Sequence, residues 1–360
     1  MPNKPRSNAS GRGATTNPPN RFEHTHTEAD FEHLEEEEIA ADSGAAPTEY
    51  LPDASQSVVS ENASPDVPFR YSLNPYRGCS HGCSYCYARP THEYLGFSAG
   101  IDFESKILVK HDAAKLLRDF LSRPQWQPES IAMSGVTDPY QPGERTYRVT
   151  RACLEVALAA RQPFDIITKN ALILRDLDLL REMADLSIVH VAISVTTLDA
   201  DLARTMEPRT STPKSRLNAI KTLSAAGVPV QVMVAPIIPG LNDVEIPSVL
   251  AASAEAGARR AGYVMLRLPY AVKPIFLAWL DQHRPNSRQR IENAIRSTRG
   301  GGLNATSFGE RMKGTGLIAE QIAQMFEKFS KHYGLDRPLP ANRCDLFQPP
   351  ADRNGQALMF

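Results

Sequence analysis

Three cysteines lie close together in a stretch rich in glycine and tyrosine, NPYRGCSHGCSYCYARP at residues 74–90. Cys79, Cys83 and Cys86 follow the spacing C-x3-C-x2-C, and the remaining cysteines, Cys153 and Cys344, are far from them in the sequence. Three thiolates can hold a cubane iron–sulfur cluster through three of its irons, which leaves the fourth iron without a protein ligand. We therefore predict that this triad binds a [4Fe-4S] cluster with one iron open to a second molecule.

Zinc is the alternative metal for these thiols. His81 or His92 could complete a Cys3His zinc site, which is a common arrangement. The spacing departs, however, from the C-x2-C pairs of structural zinc sites, and a domain of this size does not need a metal to fold. Unligated core cysteines are a further alternative. Gly78 and Gly82 flank the thiols, as expected of a loop that wraps closely around a cluster.

The composition is that of an ordinary globular protein. The 360 residues are 42% hydrophobic and carry a net charge of −1, so the chain can bury a real core. It has no apolar run of about 18 residues and no basic N-terminus followed by an apolar stretch, so we expect neither a membrane span nor a secretory signal. An odd number of cysteines, 5 in total, argues against a disulfide framework and for a reduced compartment. We predict a cytoplasmic protein, and its oligomeric state stays open.

The N-terminal part differs from the rest in composition. Residues 1–20 are rich in Asn, Pro, Gly and Ser, and EADFEHLEEEEIAADSG at 28–44 is almost purely acidic. Segments with so little apolar surface cannot offset the entropy of ordering, so residues 1–65 are predicted to form a disordered acidic tail with at most a short helix around 28–41. Without this tail the folded part is net basic, which permits an anionic substrate.

The elements that must position the cysteines follow from residue 66 onward. Short β-branched runs alternate with helical patterns, which is typical of βα units. The predicted strands are VPFRYSL (67–73), SIAMSG (130–135), FDIITK (164–169), IVHVAISV (188–195), VPVQVMVAPII (228–238) and GYVMLRLP (262–269). Helical patterns at 145–161 and 211–227 lie between them, the second with Ser211 or Thr212 as a candidate cap, Pro213 in the first turn and Gly227 after the last.

Six strands are fewer than a complete eightfold barrel needs, and near-continuous apolar strands followed by helices indicate a parallel sheet. The fold class we predict is therefore α/β, a partial (β/α)6 barrel over residues 66–275. Residues 276–360 are predicted to form a helical C-terminal extension that ends in an extended segment. The loops after the carboxyl ends of the strands should build the site, and the cysteine motif lies in the first of them.

Taken together, the triad and its place after the first strand resemble the radical S-adenosylmethionine (SAM) superfamily. The stretch CSHGCSYCYA is more closely similar to spore photoproduct lyase and its lyase-like group. The resemblance implies that SAM binds at the open iron and that a reduced cluster cleaves it, producing a deoxyadenosyl radical that abstracts hydrogen from a substrate. It also implies a reductant protein such as flavodoxin or ferredoxin as a partner.

The same resemblance implies roles for individual residues. Tyr85 would pack against SAM, and Tyr87 corresponds to a tyrosine of the lyase's radical relay, although both could simply pack over the cluster. Cofactor-binding roles fall on residues at the ends of successive strands: Thr137 and Asp138 in SGVTDPYQPGE, Lys169 in ITKN, Ser194 in AISVTT, and Ile238 in VAPIIPGLND, which would pack against the adenine. Turn capping by Thr137 and Asp138, and a backbone bond for a buried Ser194, are the alternatives.

Arg209, in MEPRTSTP at 206–213, completes the candidate cofactor-binding set. A guanidinium can hold a carboxylate or phosphate in a bidentate manner. The alternative for Arg209 is a surface ion pair with Glu207, which would contribute little.

The substrate is the open question. The lyase carries a cysteine hydrogen donor on the segment that aligns with SGVTD, and here Gly135 or Val136 holds that place. Repair by the lyase route is therefore not expected unless Cys153 or Cys344 substitutes. Three hypotheses remain: a radical enzyme acting on nucleic acid, a radical enzyme acting on a peptide or small molecule, and a non-enzymatic zinc-binding module.

Basic residues near the end of the barrel support the nucleic-acid hypothesis only weakly. They could line a path for phosphates or form an ordinary solvated surface: Arg259, Arg260, Arg267, Lys273, Arg299, Arg311 and Lys313. The glycine-rich stretch RGGGLNATSFGERMKGTG at 299–316 carries three of them and could close over a substrate, bind phosphate through backbone amides, or act as a flexible linker.

Overall fold

A computed structural model describes residues 11–22 and 47–350 of the chain. Its strands, in chain order, are β1 Glu49–Pro52, β2 Val59–Glu61, β3 Tyr71–Leu73, β4 Tyr76–Arg77, β5 Lys106–Val109, β6 Ile131–Met133, β7 Phe164–Thr168, β8 Val189–Ser194, β9 Val230–Ile237 and β10 Arg260–Met265. The main sheet has seven strands in the order β10-β9-β8-β7-β6-β3-β2. A small sheet, β1-β5-β4, lies beside the cysteine motif.

The six predicted strands are the six parallel strands of the main sheet. Neighbours β3–β6, β6–β7, β7–β8, β8–β9 and β9–β10 all pair in parallel, and β2 adds an antiparallel edge to β3. Chain order and spatial order agree across these six strands, as expected of successive βα units. The predicted α/β partial barrel is confirmed, and the cysteine motif follows its first strand.

Helices cover the outer side of the sheet. The α-helices are α1 Ile101–Ser105, α2 Ala113–Leu121, α3 Glu144–Tyr147, α4 Val149–Ala159, α5 Leu177–Asp185, α6 Ala200–Met206, α7 Pro213–Ala225, α8 Ile246–Glu255, α9 Val272–His283, α10 Arg288–Ser297, α11 Glu310–Lys313 and α12 Leu317–His332. Short 3-10 helices span Arg89–Leu95, Ala171–Asp176, Asp243–Glu245, Pro285–Ser287 and Cys344–Leu346.

The helical pattern at 211–227 lies where expected, as α7, whereas the pattern at 145–161 is divided into α3 and α4 at Arg148, whose φ is 52°. The Thr212 hydroxyl caps α7 by accepting a hydrogen bond from the Ser215 amide at 3.2 Å, with Pro213 in the first turn. Gly227 follows with a φ of 84°, in the left-handed region that glycine tolerates. Cys153 is fully buried on the inner face of α4.

The C-terminal residues extend the barrel on two sides. The Trp279 indole of α9 donates to the Thr205 carbonyl at 2.9 Å, and the Phe326 ring of α12 lies 4.6 Å from the ring of Tyr263. The last described segment runs along the amino ends of the strands, since the Arg343 and Gln348 amides donate to carbonyls that precede β8 and β7. Cys344 lies in this segment, away from the cysteine motif.

The predicted N-terminal tail is only partly covered. The acidic run at 28–44 and the helix predicted at 28–41 lie outside the described residues. Within 1–65, the stretches 11–22 and 47–65 differ from the predicted disorder, since they pack on the domain and include β1 and β2. The reason is that residues 11–22 are held by hydrogen bonds from their backbone to buried groups, described below, and not by the burial of an apolar face.

No helix in the described part of the chain is long and apolar enough to cross a membrane.

Candidate functional site

The cysteine loop is shaped by two glycines with positive φ. Gly78 and Gly82 have φ values of 76° and 67°, a conformation that other residues adopt with strain. A Cβ on Gly82 would lie 2.6 Å from Oε2 of Glu104, and one on Gly78 would lie 2.9 Å from the His92 ring. The loop therefore bends tightly against its support, and it presents all three thiols on one short turn of chain.

The thiols are withdrawn from solvent. Cys79 and Cys83 are each 7% exposed, and Cys86 is partly buried. Burial raises the pKa of the Cys83 thiol well above its usual range and that of Cys86 to about 11; the charge of Glu207 adds to the first shift and that of Cys79 to the second. Thiolates at these positions thus require a cation beside them, because burial disfavours the charged form.

Arg89 supports the cysteine loop through hydrogen bonds to its backbone. Its buried guanidinium donates to the Cys83 carbonyl from Nε at 3.1 Å and from Nη2 at 2.8 Å. It also pairs with the Glu104 carboxylate, and both side chains are fully buried. A buried pair with every donor and acceptor engaged fixes geometry, which is what a cluster-binding loop requires.

The N-terminal stretch 11–22 closes over this support. The amides of Gly13 and Ala14 donate to Glu104 at 3.0 and 2.7 Å. Gly13 lies so close to the loop that a Cβ would fall 1.6 Å from the Gly82 carbonyl oxygen. Reasoning from the sequence missed this contact, and its one local signal is the Gly-Arg-Gly triplet at 11–13.

A second buried network lies on the other side of the loop, around Glu207. Its carboxylate accepts hydrogen bonds from the Tyr85 hydroxyl, from Arg216 and, at 2.7 Å, from the Thr196 hydroxyl. Lys169 Nζ lies 3.7 Å away. Burial alone would raise the pKa of Glu207, but the charges of Arg216 and Lys169 and these hydrogen bonds lower it to about 2.

The sequence had suggested Glu207 only as a surface partner of Arg209. Glu207 is instead 1% exposed and pairs with Arg216. Arg209 turns the other way, where its Nη1 donates to the Thr48 hydroxyl at 3.1 Å. Its predicted contact with a carboxylate or phosphate of the cofactor therefore stays a prediction.

Thr137 and Asp138 anchor the loops to one another. The Thr137 hydroxyl donates to the Gly78 carbonyl at 2.7 Å. The Asp138 carboxylate accepts from the Thr168 hydroxyl at 2.7 Å and from the Lys169 amide at 2.8 Å. These bonds join the ends of β6 and β7 to the cysteine loop, so the polar atoms of both residues are already engaged.

Lys169, Ser194 and Ile238 occupy the carboxyl ends of β7, β8 and β9, in the order that the sequence predicted. Lys169 Nζ donates to the Ala235 carbonyl at 3.0 Å and lies 5.8 Å from the centre of the Tyr85 ring. Ile238 is fully buried in one apolar cluster with Cys83 and Tyr85. Ser194 is 5% exposed at the end of its strand.

Tyr87 faces the open end of the barrel. Its side chain is 49% exposed, and its hydroxyl donates to the Gly135 carbonyl at 2.6 Å. The Arg267 guanidinium lies over its ring, 5.3 Å from the centre. Tyr87 thus connects the loop after β3 to the loops after β6 and β10.

The histidines offered for a zinc site have other partners. His81 Nε2 lies 3.0 Å from Asn170 Nδ2 and its Nδ1 lies 3.4 Å from Asp138, while His92 Nε2 lies 3.0 Å from the Lys106 carbonyl. Across residues 11–22 and 47–350, no three His, Cys, Asp or Glu side chains gather around a point that could hold a single metal ion. A cluster does not require the three thiols to meet at one point, because each sulfur binds a different iron.

Comparisons with known proteins identify the family of the chain. A family model described as "Radical SAM superfamily" matches residues 73–252. An uncharacterized protein of Mycobacterium tuberculosis is 38% identical over 276 residues, which are 76% of this chain and 78% of the relative. An uncharacterized protein of Methanocaldococcus jannaschii is 31% identical over 176 residues, 49% of this chain and 63% of the relative.

Among solved structures, the chain is similar in fold to spore photoproduct lyase. The lyase complexed with dinucleoside spore photoproduct superimposes with a TM-score of 0.58 over 81% of this chain and 80% of the lyase, at 15% identity. A lyase variant with bound AdoMet and the same dinucleoside gives a TM-score of 0.58 at 16% identity, with the same coverage. The cysteine loop, the parallel sheet and the match to the family model lead to one conclusion: the chain belongs to the radical SAM superfamily and has the fold of spore photoproduct lyase.

Proposed function

We propose that this radical SAM enzyme holds a [4Fe-4S] cluster through Cys79, Cys83 and Cys86 and binds SAM beside it. The observation that carries the proposal is the group of three withdrawn thiols on a glycine-shaped loop at the carboxyl end of the sheet. When bound and reduced, the cluster and SAM supply a radical that abstracts hydrogen from a substrate. Electrons would come from a reductant protein such as flavodoxin or ferredoxin.

The residues present fit such a cluster. Soft thiolate ligands suit iron–sulfur centres, and the metal supplies the positive charge that buried thiolates require. Arg89 and Thr137 hold the backbone of the loop at Cys83 and Gly78, so the thiols are oriented before a cluster binds. Gly82 leaves the room that a closely wrapped loop needs.

Charge balance supports Lys169 as the residue that meets the carboxylate of SAM. Glu207 carries one negative charge, and Arg216 already pairs with it as a fully buried cation. Lys169, 18% exposed and 3.7 Å from the same carboxylate, leaves one positive charge for a ligand. A charge-assisted bond to a carboxylate would complete this arrangement.

The remaining candidate residues divide into those that would contact SAM and those that would position other residues. Ser194 and Ile238 lie at the neighbouring strand ends and would meet the ribose or methionine part and the adenine of SAM. Tyr85, fixed through Glu207, would pack against SAM beside the cluster. Thr137 and Asp138 would act as positioning residues, because their polar atoms are used within the protein.

Tyr87 is the candidate for relaying a hydrogen atom to or from the substrate. Its hydroxyl lies at the open end of the barrel, on the carbonyl of Gly135. In the lyase-like resemblance, Gly135 or Val136 stands where a cysteine donor would be. Neither spare thiol replaces it, since Cys153 is fully buried in α4 and Cys344 lies at the amino ends of the strands. We therefore infer a reaction whose hydrogen donor is not a cysteine of this chain.

The chemistry is placed in residues 66–275, with 276–360 as an extension. The substrate class stays a proposal, with nucleic acid first because the fold is that of a lyase seen with a dinucleoside photoproduct. A peptide or small molecule is the alternative. A cytoplasmic location is proposed because buried cysteines and an oxygen-sensitive cluster need a reducing environment.

The test is anaerobic reconstitution with iron and sulfide, followed by reduction in the presence of SAM and chromatography for 5′-deoxyadenosine. We expect cluster absorption and 5′-deoxyadenosine from the wild type, and neither from Cys79→Ala, Cys83→Ala or Cys86→Ala. Cys344→Ala is the matched control and should behave as the wild type. Iron retained by all three variants, or tight zinc binding without a cluster, would contradict the proposal.

A further inference from the structure

Three arginines come together at the end of β10 and in the glycine-rich loop 299–316. Arg267 follows β10, and Arg299 and Arg311 come from the loop. Burial and the charge of Arg267 together lower the pKa of Arg299 to about 10. Burial and the charge of Arg311 likewise lower the pKa of Arg267. Arg267 thus lies close enough to Arg299 and to Arg311 for the like charges to repel. The contacts agree, since Arg299 donates to the carbonyl of Leu266, next to Arg267 in the chain, and Arg267 Nη1 lies 3.8 Å from the sulfur of Met312, next to Arg311.

Only one of these charges is offset by an ion pair. Arg311 pairs with Asp66 and also donates to the Ser64 hydroxyl at 2.6 Å. Arg299 donates to neutral carbonyls, those of Glu310 at 2.8 Å and Leu266 at 2.5 Å. Within the described ranges, no carboxylate lies at ion-pair distance from Arg267 or Arg299. Two positive charges are left without a partner anion at the open end of the barrel.

Arg267 is the arginine with unused hydrogen-bonding capacity. Its Nε is buried and, among the described residues, has no hydrogen-bond acceptor. Its Nη1 reaches only the Met312 sulfur, at 3.8 Å. A charged donor taken out of water without an acceptor costs free energy, so a partner for it is expected.

The position of Arg267 indicates where such a partner would lie. Its guanidinium lies over the Tyr87 ring, and Tyr87 is the chain neighbour of Cys86. An anion bound by Arg267 would lie at the mouth of the barrel next to the residue proposed to relay hydrogen. Other basic residues named from the sequence lie elsewhere: Arg259 and Arg260 are exposed at the amino end of β10.

We propose that Arg267, supported by the uncompensated charge of Arg299, binds an oxyanion group of the substrate, a phosphate or a carboxylate, and holds it beside Tyr87. This inference rests on the proposed function and adds the substrate's chemical class to it. A guanidinium fork fits both oxyanions in a bidentate manner.

The experiment measures binding to the reconstituted protein without reductant, so that no turnover is needed. Fluorescence anisotropy would follow two labelled probes, a single-stranded thymidine hexanucleotide and hexaglutamate, which separate phosphodiester from carboxylate. Arg267→Gln should weaken binding of the preferred probe by about tenfold to a hundredfold. Arg267→Lys keeps the charge but loses the planar guanidinium, so its affinity for the probe should lie between those of the wild type and Arg267→Gln. Arg259→Gln, at the other end of β10, is the matched control.

Three results would overturn the inference: no binding of either probe by the wild type, equal binding by Arg267→Gln and Arg259→Gln, or a loss of SAM affinity in Arg267→Gln as large as the loss for the probe. The last would assign Arg267 to SAM. Failure of the proposed function looks different. Binding that depends on Arg267 in a protein that forms no cluster or 5′-deoxyadenosine would leave an anion site without radical chemistry.

Discussion

The two ends of the parallel sheet differ in how far their ion pairs are exposed to water. At the carboxyl end, Glu207 and Arg216 are paired with side chains 0% and 1% exposed, and Tyr85 and Thr196 donate to the same carboxylate. At the amino end, Arg343 and Asp345 form a pair at 2.6 Å whose side chains are 53% and 63% exposed. Both are ion pairs by distance, but only the first is closed to water.

The two kinds of ion pair differ in what they contribute to the stability of the fold and to the geometry of the site. Exposed pairs are screened and contribute about 0–1 kcal/mol. Buried pairs must overcome the desolvation of two ions, so they stabilise a fold only when every partner is present. A sheet end with several such closed networks is more demanding to build than an apolar one, and networks of this kind are concentrated at functional sites.

The largest expected effect comes from opening the Glu207 network. Glu207→Ala leaves Arg216 buried without its carboxylate, and we expect a loss of about 3–5 kcal/mol in the free energy of unfolding. Urea denaturation under anaerobic conditions measures it. Glu207→Gln, which keeps the shape and the acceptor for Tyr85, serves as the matched variant and should lose less. A loss below about 1 kcal/mol for Glu207→Ala would place this pair with the exposed ones.

The next effect is on SAM rather than on stability. Lys169→Ala removes the positive charge left over beside Glu207, and loss of one charge-assisted bond should cost about 1.5–3 kcal/mol, or about tenfold to a hundredfold in SAM affinity. Equilibrium binding to the reconstituted protein measures it, with cluster absorption recorded in parallel. Lys328→Ala, an exposed residue of α12, is the control. Unchanged SAM affinity with an intact cluster would remove Lys169 from the site.

A smaller effect is expected where the N-terminal stretch meets the cysteine loop. Gly13→Ala would place a Cβ 1.6 Å from the Gly82 carbonyl oxygen, so residues 11–22 should detach while the barrel stays folded. We expect faster loss of cluster absorption in air, because the support of the loop at Glu104 loses its two amide donors. Gly302→Ala, where the nearest contact of a Cβ is 3.4 Å, is the control. Equal bleaching rates would show that the stretch does not protect the cluster.

Much of this architecture could be predicted because its signals are local. The six parallel strands are β-branched runs, and α7 has its cap, its proline and its glycine within sixteen residues of chain. The cysteine spacing likewise lies within one loop. Each of these features can be recognised without knowing what packs against it.

The buried networks could not be predicted, because their partners are distant in the sequence. Glu104 pairs with Arg89 and accepts hydrogen bonds from the amides of Gly13 and Ala14. The contacts with Gly13 and Ala14 join residues that are 91 and 90 positions apart in the sequence. A polar stretch such as 11–22 has no apolar pattern, so composition indicates disorder. Glu207 has the same difficulty: next to Pro208 and Arg209 in the sequence it looks like a surface residue, and only the fold places it beneath Tyr85.

The smallest effect is expected at the amino end, where it completes the comparison. Asp345→Ala removes the carboxylate that Arg343 contacts, but both side chains remain largely in water, so the free energy of unfolding should hardly change. Added salt should shrink this difference further, because screening acts on exposed charges, whereas the loss in Glu207→Ala should depend little on salt. Urea denaturation of both variants at low and high ionic strength measures the contrast. A loss for Asp345→Ala that equals that of Glu207→Ala and survives high salt would mean that the C-terminal segment, too, is held by a network closed to water.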